Sequence, residues 1–214
     1  MTVLVTDKAR LIGMPAQSIV LASASMTRRR LLEEAGVPHL VEPSRVDEDE
    51  LKISLRAEGA AGIEIAEVLA EAKAVYVSRK HPEAMVLGAD QVLDCDGEIF
   101  DKPVDLADAR RQLQALRGRW HNLISYAVIV RGGQRIWQAV DTAKLEVRAD
   151  ASDSFLDAYL AAAGDDAFNG PGGYRVESLG VQLFSRIDGS HYTILGLPLM
   201  ALLDYLRANR ILDT

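Results

Sequence analysis

The sequence predicts an α/β protein built on a mixed β-sheet flanked by helices. Three observations carry that expectation. Short apolar runs of strand length alternate with segments whose apolar residues recur at helical spacing. A long stretch from 121 to 148 is interrupted by Gly132-Gly133, which reads as a hairpin in the middle of the chain. No internal repeat, low-complexity tract or linker breaks the pattern. At 214 residues the chain can bury a substantial core, as one large domain or two small lobes.

The elements follow in order. Residues 1–17 read as a partly ordered N-terminal extension. IVLAS (19–23) is a short strand leading into a helix at 26–35, which Gly36 and Pro38 terminate. HLVEPS (39–44) is a second strand, and residues 48–58 and 63–79 are helical. In the latter, Ile65, Val68, Leu69, Ala72 and Val75 mark the apolar face. AMVLGADQVLDC (84–95) is a buried strand, DGE a tight turn and EIF its returning partner. LADARRQLQAL (106–116) is an amphipathic helix with Leu106, Ala109, Leu113 and Leu116 on one stripe. The hairpin follows, with Trp120 and Trp137 expected to pack across it. Residues 152–164 form a helix with Ser152 or Asp153 as N-cap and Gly164 just past its end. FNGPGGY is an irregular loop, VQLFSRIDG (181–189) a strand and turn, and Leu199–Asn209 a final helix after Pro198.

Composition narrows the function. Hydrophobic residues at 49% and charged residues at 26% describe an ordinary soluble globular chain. A net charge of −7 argues against a general nucleic-acid binder, which needs a basic face. The lone Cys95 cannot form an internal disulfide and suits a reducing cytoplasm, the expected location. No segment has signal-peptide character, and no apolar run is long enough to span a membrane. His39, His81, His121 and His191 lack the spacing of a zinc site, and no serine sits in a nucleophile elbow. His121 reads as structural and Cys95 as a passive core thiol without an activating basic neighbour.

Two stretches carry chemistry. LASASMTRRRLLEEAGV (21–37) places three arginines where a helix begins. First-turn amides carry partial positive charge, so cations there oppose the helix. Arg30 can pair with Glu33 and Glu34, whereas Arg28 and Arg29 lie one turn above Leu31 and Leu32, on the inward face. Two inward cations call for an anion. A phosphate chain met by helix amides, by Ser23 and Ser25 and by guanidiniums would supply it. The second stretch is LGADQVLDCDGEIFDKPVD (87–105). Asp90 sits in an apolar strand, where a carboxylate needs a partner, a metal or an open site. The hairpin can return Lys102 to its side, either as a structural ion pair or as an acid–lysine set for phosphate-ester chemistry.

With LASASMTRRRLL, VDE (46–48), EAKA (71–74), LGAD (87–90), DKP (101–103) and GLPL (196–199), the chain resembles the Maf family of nucleoside triphosphate pyrophosphatases. The likeness runs from about 18 to 208 and implies a single Maf-like domain over 18–210. It implies an elongated mixed sheet with flanking helices, in two lobes around a central cleft. It also implies hydrolysis of a nucleoside triphosphate to monophosphate and pyrophosphate with a divalent metal, Mg²⁺ or Mn²⁺, and frequent homodimers. Roles in cleansing the nucleotide pool or arresting division come with the family. By position, Ser23, Ser25, Arg28 and Arg29 match the phosphate-binding loop and helix start. Glu48 matches a metal or water contact, Lys73 and Lys102 phosphate-facing lysines, and Asp90 the general base and a metal ligand.

Departures from the common pattern point to the substrate. Met26 and Thr27 replace Pro and the first Arg of S-x-S-P-R-R, Gln91 follows Asp90, and Glu177 stands where Gln is usual. One branch of the family shares the shifted arginines, the Gln and the Glu, and prefers 7-methyl-GTP. The commoner branch prefers dTTP and UTP. Glu177 can accept from guanine N1–H and N2–H₂ and suits a cationic ring. Thr27 occupies the place where that branch would carry an aromatic residue to stack on the base. A non-catalytic nucleotide sensor that regulates division is the alternative of a different class.

Overall fold

The computed structural model describes residues 18–213; the proposed N-terminal extension lies outside them. Strand β1 is Ile19–Leu21, helix α1 Met26–Glu34, β2 His39–Val41, α2 Glu48–Ala57 and α3 Gly62–Ser78. Next come β3 Val86–Cys95, β4 Glu98–Phe100, α4 Leu106–Leu116, β5 Trp120–Arg131 and β6 Gln134–Val147. The rest is α5 Asp153–Ala163, β7 Phe184–Asp188, the short α6 His191–Ile194 and α7 Leu199–Ala208. The strands form one mixed seven-stranded sheet in the order β2-β1-β3-β5-β6-β7, with β4 paired to β3. This is the α/β class read from the sequence.

The described chain divides into two compact units. The first holds the residues up to Gln91, Ser125–Asp141, and those from Leu195 onward. Here β1 lies parallel to both β2 and β3, pairing Val20 with Leu40 and with Val86. Parallel strands are covered on both faces and read as continuous apolar runs. The fully buried IVL of β1 obeys this. The core joins Ile19, Leu21, Leu32, Leu87, Leu197 and Leu202.

The second unit is Val92–Ile124 and Thr142–Ile194. In it the end of β3 pairs antiparallel with β4, Leu93 opposite Phe100. β6 pairs antiparallel with β7, with an irregularity at Glu146/Val147. Its core joins Leu93, Leu113, Leu116, Leu145, Leu156 and Tyr174.

Several local expectations are corrected. FNGPGGY contributes to two 3₁₀ turns, Gly164–Phe168 and Pro171–Gly173, rather than an irregular loop. The segment before β7 is a 3₁₀ turn, Leu179–Leu183, so the strand starts at Phe184. Trp137 packs on Tyr205 at 5.2 Å between ring centroids, not on Trp120. Leu106, expected on the apolar stripe of α4, is exposed, while Ala109, Gln112, Leu113 and Leu116 face inward. Of the two caps offered for α5, the structure takes Ser152, which accepts from the Phe155 amide as expected.

Candidate active site

The start of α1 is built by two serines. Ser25 is the N-cap: its hydroxyl accepts the Arg28 amide at 3.3 Å. Ser23, buried, accepts the Ser25 amide at 3.2 Å and Arg28 Nη1 at 3.3 Å. Arg28 is itself buried, and its Nε donates to the Gly196 carbonyl at 2.8 Å. Burial pushes the guanidinium down from its ordinary value, and the charges of Asp90 and Glu48 oppose that shift. The expectation of two inward arginines is half right. Arg29 turns along the helix surface and pairs with Glu33 at 2.7 Å, because an i,i+4 carboxylate is within easy reach. Arg30 pairs with Glu34 at 3.6 Å, as expected for one of its two acids. Thr27 sits half-buried at the second helical position.

Asp90 finds its partner on α3. Lys73 Nζ donates to Asp90 Oδ1 at 2.6 Å and also meets Glu48 Oε2 at 2.7 Å. Asp90 and Lys73 are both buried, with Glu48 more open at 40% side-chain exposure. One buried ammonium thus gathers two carboxylates. A buried carboxylate persists when it is paired, and a lysine with three donors can serve two acids at once. Each contributor is placed by local structure. Asp47 caps α2 by accepting the Glu50 amide at 3.0 Å, which sets Glu48 at the first helical position. The acids 48–50 then sit where a helix start favours negative charge.

Gly88 lets α3 approach. A Cβ there would lie 2.1 Å from the Ala70 carbonyl oxygen and 2.8 Å from Ala74 Cβ. The buried face of the helix is Ile65, Ala66, Leu69, Ala70, Lys73, Ala74 and Val77, of which Ala70, Lys73 and Ala74 meet β3 at Gly88 and Asp90. The expected face is corrected: Val68 is exposed at 37%, and Ala72 and Val75 are only half-buried. Small alanines carry the close contact, and Lys73 shares their stripe. Asp90 thus finds its ion partner within the first unit, in Lys73.

Gln91 donates from Nε2 to Ser125 Oγ at 3.1 Å, also within the first unit. Lys102 and Glu177 belong to the second unit. Lys102 is exposed and follows the last paired residue of β4. Glu177 is held by Arg175, whose Nε and Nη2 donate to its Oε1 at 3.0 and 2.8 Å. Arg175 also reaches Asp166 at 2.8 Å, and these acids push its guanidinium up. Glu177 is thus a partly neutralised carboxylate with Oε1 already engaged, a fact the sequence did not disclose.

The remaining candidates are structural. His121 is buried, shares a 2.7 Å hydrogen bond with the Tyr174 hydroxyl, and is pushed down to about 4 by burial. Cys95 does have a basic neighbour, Arg119, but burial dominates and pushes the thiol up. A surface depression of about 500 Å³ in the second unit is lined by Arg148, Ser152, Phe155 and Gln182 among others, and by none of the site residues. Sequence reasoning missed Gly88 and Gly196 as parts of the site. Both stood in motifs already singled out, LGAD and GLPL.

The sequence that builds this arrangement has relatives among known proteins. The family model described as Maf-like protein matches residues 18–209. The chain belongs to the Maf family. A Maf relative from Paramagnetospirillum magneticum, a nucleoside triphosphate pyrophosphatase, is 50% identical over 190 residues, covering 89% of this chain and 97% of that protein. Another from Granulibacter bethesdensis, of the same name, is 46% identical over 194 residues, 91% of this chain and 98% of that one. A Maf relative from Brucella abortus, a 7-methyl-GTP pyrophosphatase, is 43% identical over 195 residues, 91% of this chain and 98% of that one. No helix among the described residues is long and apolar enough to cross a membrane.

Proposed function

We propose that the protein is a hydrolase of acid anhydrides, a nucleoside triphosphate pyrophosphatase that releases pyrophosphate and a nucleoside monophosphate. The observation that carries this reading is Lys73 bonded at once to Asp90 and Glu48, with the buried Arg28 in their field. Pyrophosphatase relatives of nearly full length support it.

Asp90 is the general base. Lys73 occupies only one of its lone-pair sites, on Oδ1, so the carboxylate can still accept a proton from water. That water attacks the α-phosphorus: a P–O bond to water forms, the bond to the pyrophosphate oxygen breaks, and Asp90 takes the proton. Lys73 keeps Asp90 oriented through its 2.6 Å hydrogen bond. Arg28, Ser23 and Ser25 bind the phosphate chain, with Arg29 adding positive charge. For Arg29 this means exchanging Glu33 for phosphate.

Glu48 and Asp90 fit a divalent cation. Both are hard oxygen donors bonded to the same ammonium, and Mg²⁺ typically takes one or two carboxylates and completes its shell with phosphate oxygens and water. The family implies such a metal, and Mg²⁺ or Mn²⁺ would neutralise charge on the leaving pyrophosphate when bound.

The proposed substrate is a modified purine nucleotide of the 7-methyl-GTP kind. Gln91 and Glu177 support that choice, as does the Brucella abortus relative. Arg175 holds Glu177 through Oε1, and none of the Arg175 hydrogen bonds falls on Oε2. Removal of such nucleotides from the cytoplasmic pool, with an effect on division, is the cellular role that follows. The test is pyrophosphate release from 7-methyl-GTP, GTP, UTP, dTTP and CTP with Mg²⁺, with Asp90→Asn as control. Turnover led by 7-methyl-GTP, and reduced about a hundredfold or more in the control, is expected. A lead for UTP and dTTP would keep the enzyme class and overturn the base assignment. Nucleotide binding without turnover would favour a sensor.

A further inference from the structure

The GLPL motif has no role in the chemistry described so far, yet it meets the phosphate-binding arginine. Leu195, Leu197 and Leu199 are all buried in the first unit's core, which also contains Leu31 and Leu32 of α1. The alternation anchors the segment and leaves Gly196 against the Arg28 side chain. The Gly196 carbonyl accepts Arg28 Nε at 2.8 Å across 168 residues of chain. Its φ is +92°, a backbone conformation that L side chains rarely adopt. A Cβ at this position would lie 3.3 Å from Nη2 and 3.4 Å from Nε of Arg28. Strain and crowding therefore both fall on the residue that touches the guanidinium.

A guanidinium has five N–H donors in a rigid fork. Here Nε is fixed by Gly196 and one Nη1 hydrogen by Ser23. Two anchors on different atoms leave the planar group no rotation, and the remaining Nη donors keep one direction. A fork held before the ligand arrives loses little entropy when phosphate binds.

We infer that Gly196 is a positioning residue for the reaction: its carbonyl and its missing side chain form the seat that aims Arg28 at the phosphates. The inference rests on the pyrophosphatase reading for the identity of the anion. Gly196→Ala should raise KM for the nucleoside triphosphate about tenfold, with a smaller change in kcat, because Arg28 binds phosphate in ground and transition state alike. Arg28→Lys has no Nε–H to seat. In that background Gly196→Ala should change KM less than about twofold, since the two substitutions remove one interaction. Equal KM effects of Gly196→Ala in both backgrounds would overturn the seat, leaving the enzyme class intact.

Calorimetry with inorganic tripolyphosphate separates the two readings. If no nucleotide is turned over but tripolyphosphate binds, and Gly196→Ala weakens that binding only when Arg28 is present, the seat stands and the catalytic reading falls. A wild-type protein that neither hydrolyses nor binds would overturn both. Should Gly196→Ala fail to fold, the wild type still decides by NMR of the arginine Nε–H groups. The Arg28 signal should stay protected from solvent exchange when tripolyphosphate binds. Loss of protection would show Arg28 leaving Gly196 to reach the anion, and the seat would be wrong.

Discussion

At the scale of single residues, the buried charges among the described residues, Arg28, Lys73, Asp90 and Asp108, all have hydrogen-bond partners. Lys73 is the clearest case, since it answers Asp90 and Glu48 together. Replacing it by Met removes the cation bonded to both acids and leaves Asp90 buried without its hydrogen-bonded ion partner. Breaking a buried pair from one side typically costs about 3–5 kcal/mol, so Lys73→Met should lower stability by that order in urea denaturation. Turnover should fall at least about a hundredfold under conditions where the variant is still folded. Unchanged stability would mean that Asp90 and Glu48 find water instead. Ser25 is a milder test. Ser25→Ala removes the acceptor of the Arg28 amide and should cost about 1 kcal/mol, read as a lower denaturation midpoint.

Elements bring those residues together, and one glycine sets the distance between two of them. Gly88 in β3 allows α3 to lie close enough for Lys73 to reach Asp90. A methyl group meeting a backbone oxygen at 2.1 Å cannot be absorbed by a rotamer change, so the helix must move. Gly88→Ala should destabilise by about 1–3 kcal/mol or somewhat more. Its loss of turnover should exceed that of an equally destabilising core substitution elsewhere, such as Leu156→Val in the second unit. Equal activity losses at matched stability would show that the α3 spacing has no special bearing on Asp90. The same contact explains why the apolar face of α3 was misread. Hydrophobicity favours Val68 and Val75 as core positions, but a close helix–strand contact selects Ala66, Ala70 and Ala74. Periodicity located the helix to within a residue at each end; it could not weigh small residues against large ones.

At the scale of the whole molecule, the two compact units each keep a core of their own, and the second carries a pH liability. His121 stands at about 4 when folded, against 6.5 for a free histidine, because burial disfavours the imidazolium. Below 6.5 an unfolded chain takes up a proton that folded His121 refuses. Stability is therefore full above 6.5, declines as pH falls, and the loss is complete below about 4, where both states are protonated. The total is on the order of 3 kcal/mol. Urea denaturation across that window should show the decline, and His121→Gln, which can still bond Tyr174, should flatten it. A His121→Gln slope equal to wild type would assign the acid sensitivity to carboxylates instead. Hydrogen exchange should place the early loss of protection around β5 and Tyr174.

The sequence by itself determined the class of the fold, the order of its main strands and helices, the cap at Ser152, and a set of candidate phosphate-binding and acid–base groups. These follow from local rules: side-chain periodicity, turn residues and helix-end chemistry act within a few residues. Tertiary structure alone decided who meets whom. Asp90 is paired with a lysine 17 positions earlier on a packed helix. Arg28 rests on a carbonyl 168 positions away. The physical reason is common to both. A charged or polar side chain needs a partner, but several partners satisfy that need on paper. Backbone approach distances, such as those allowed at Gly88 and Gly196, select the one that is reached.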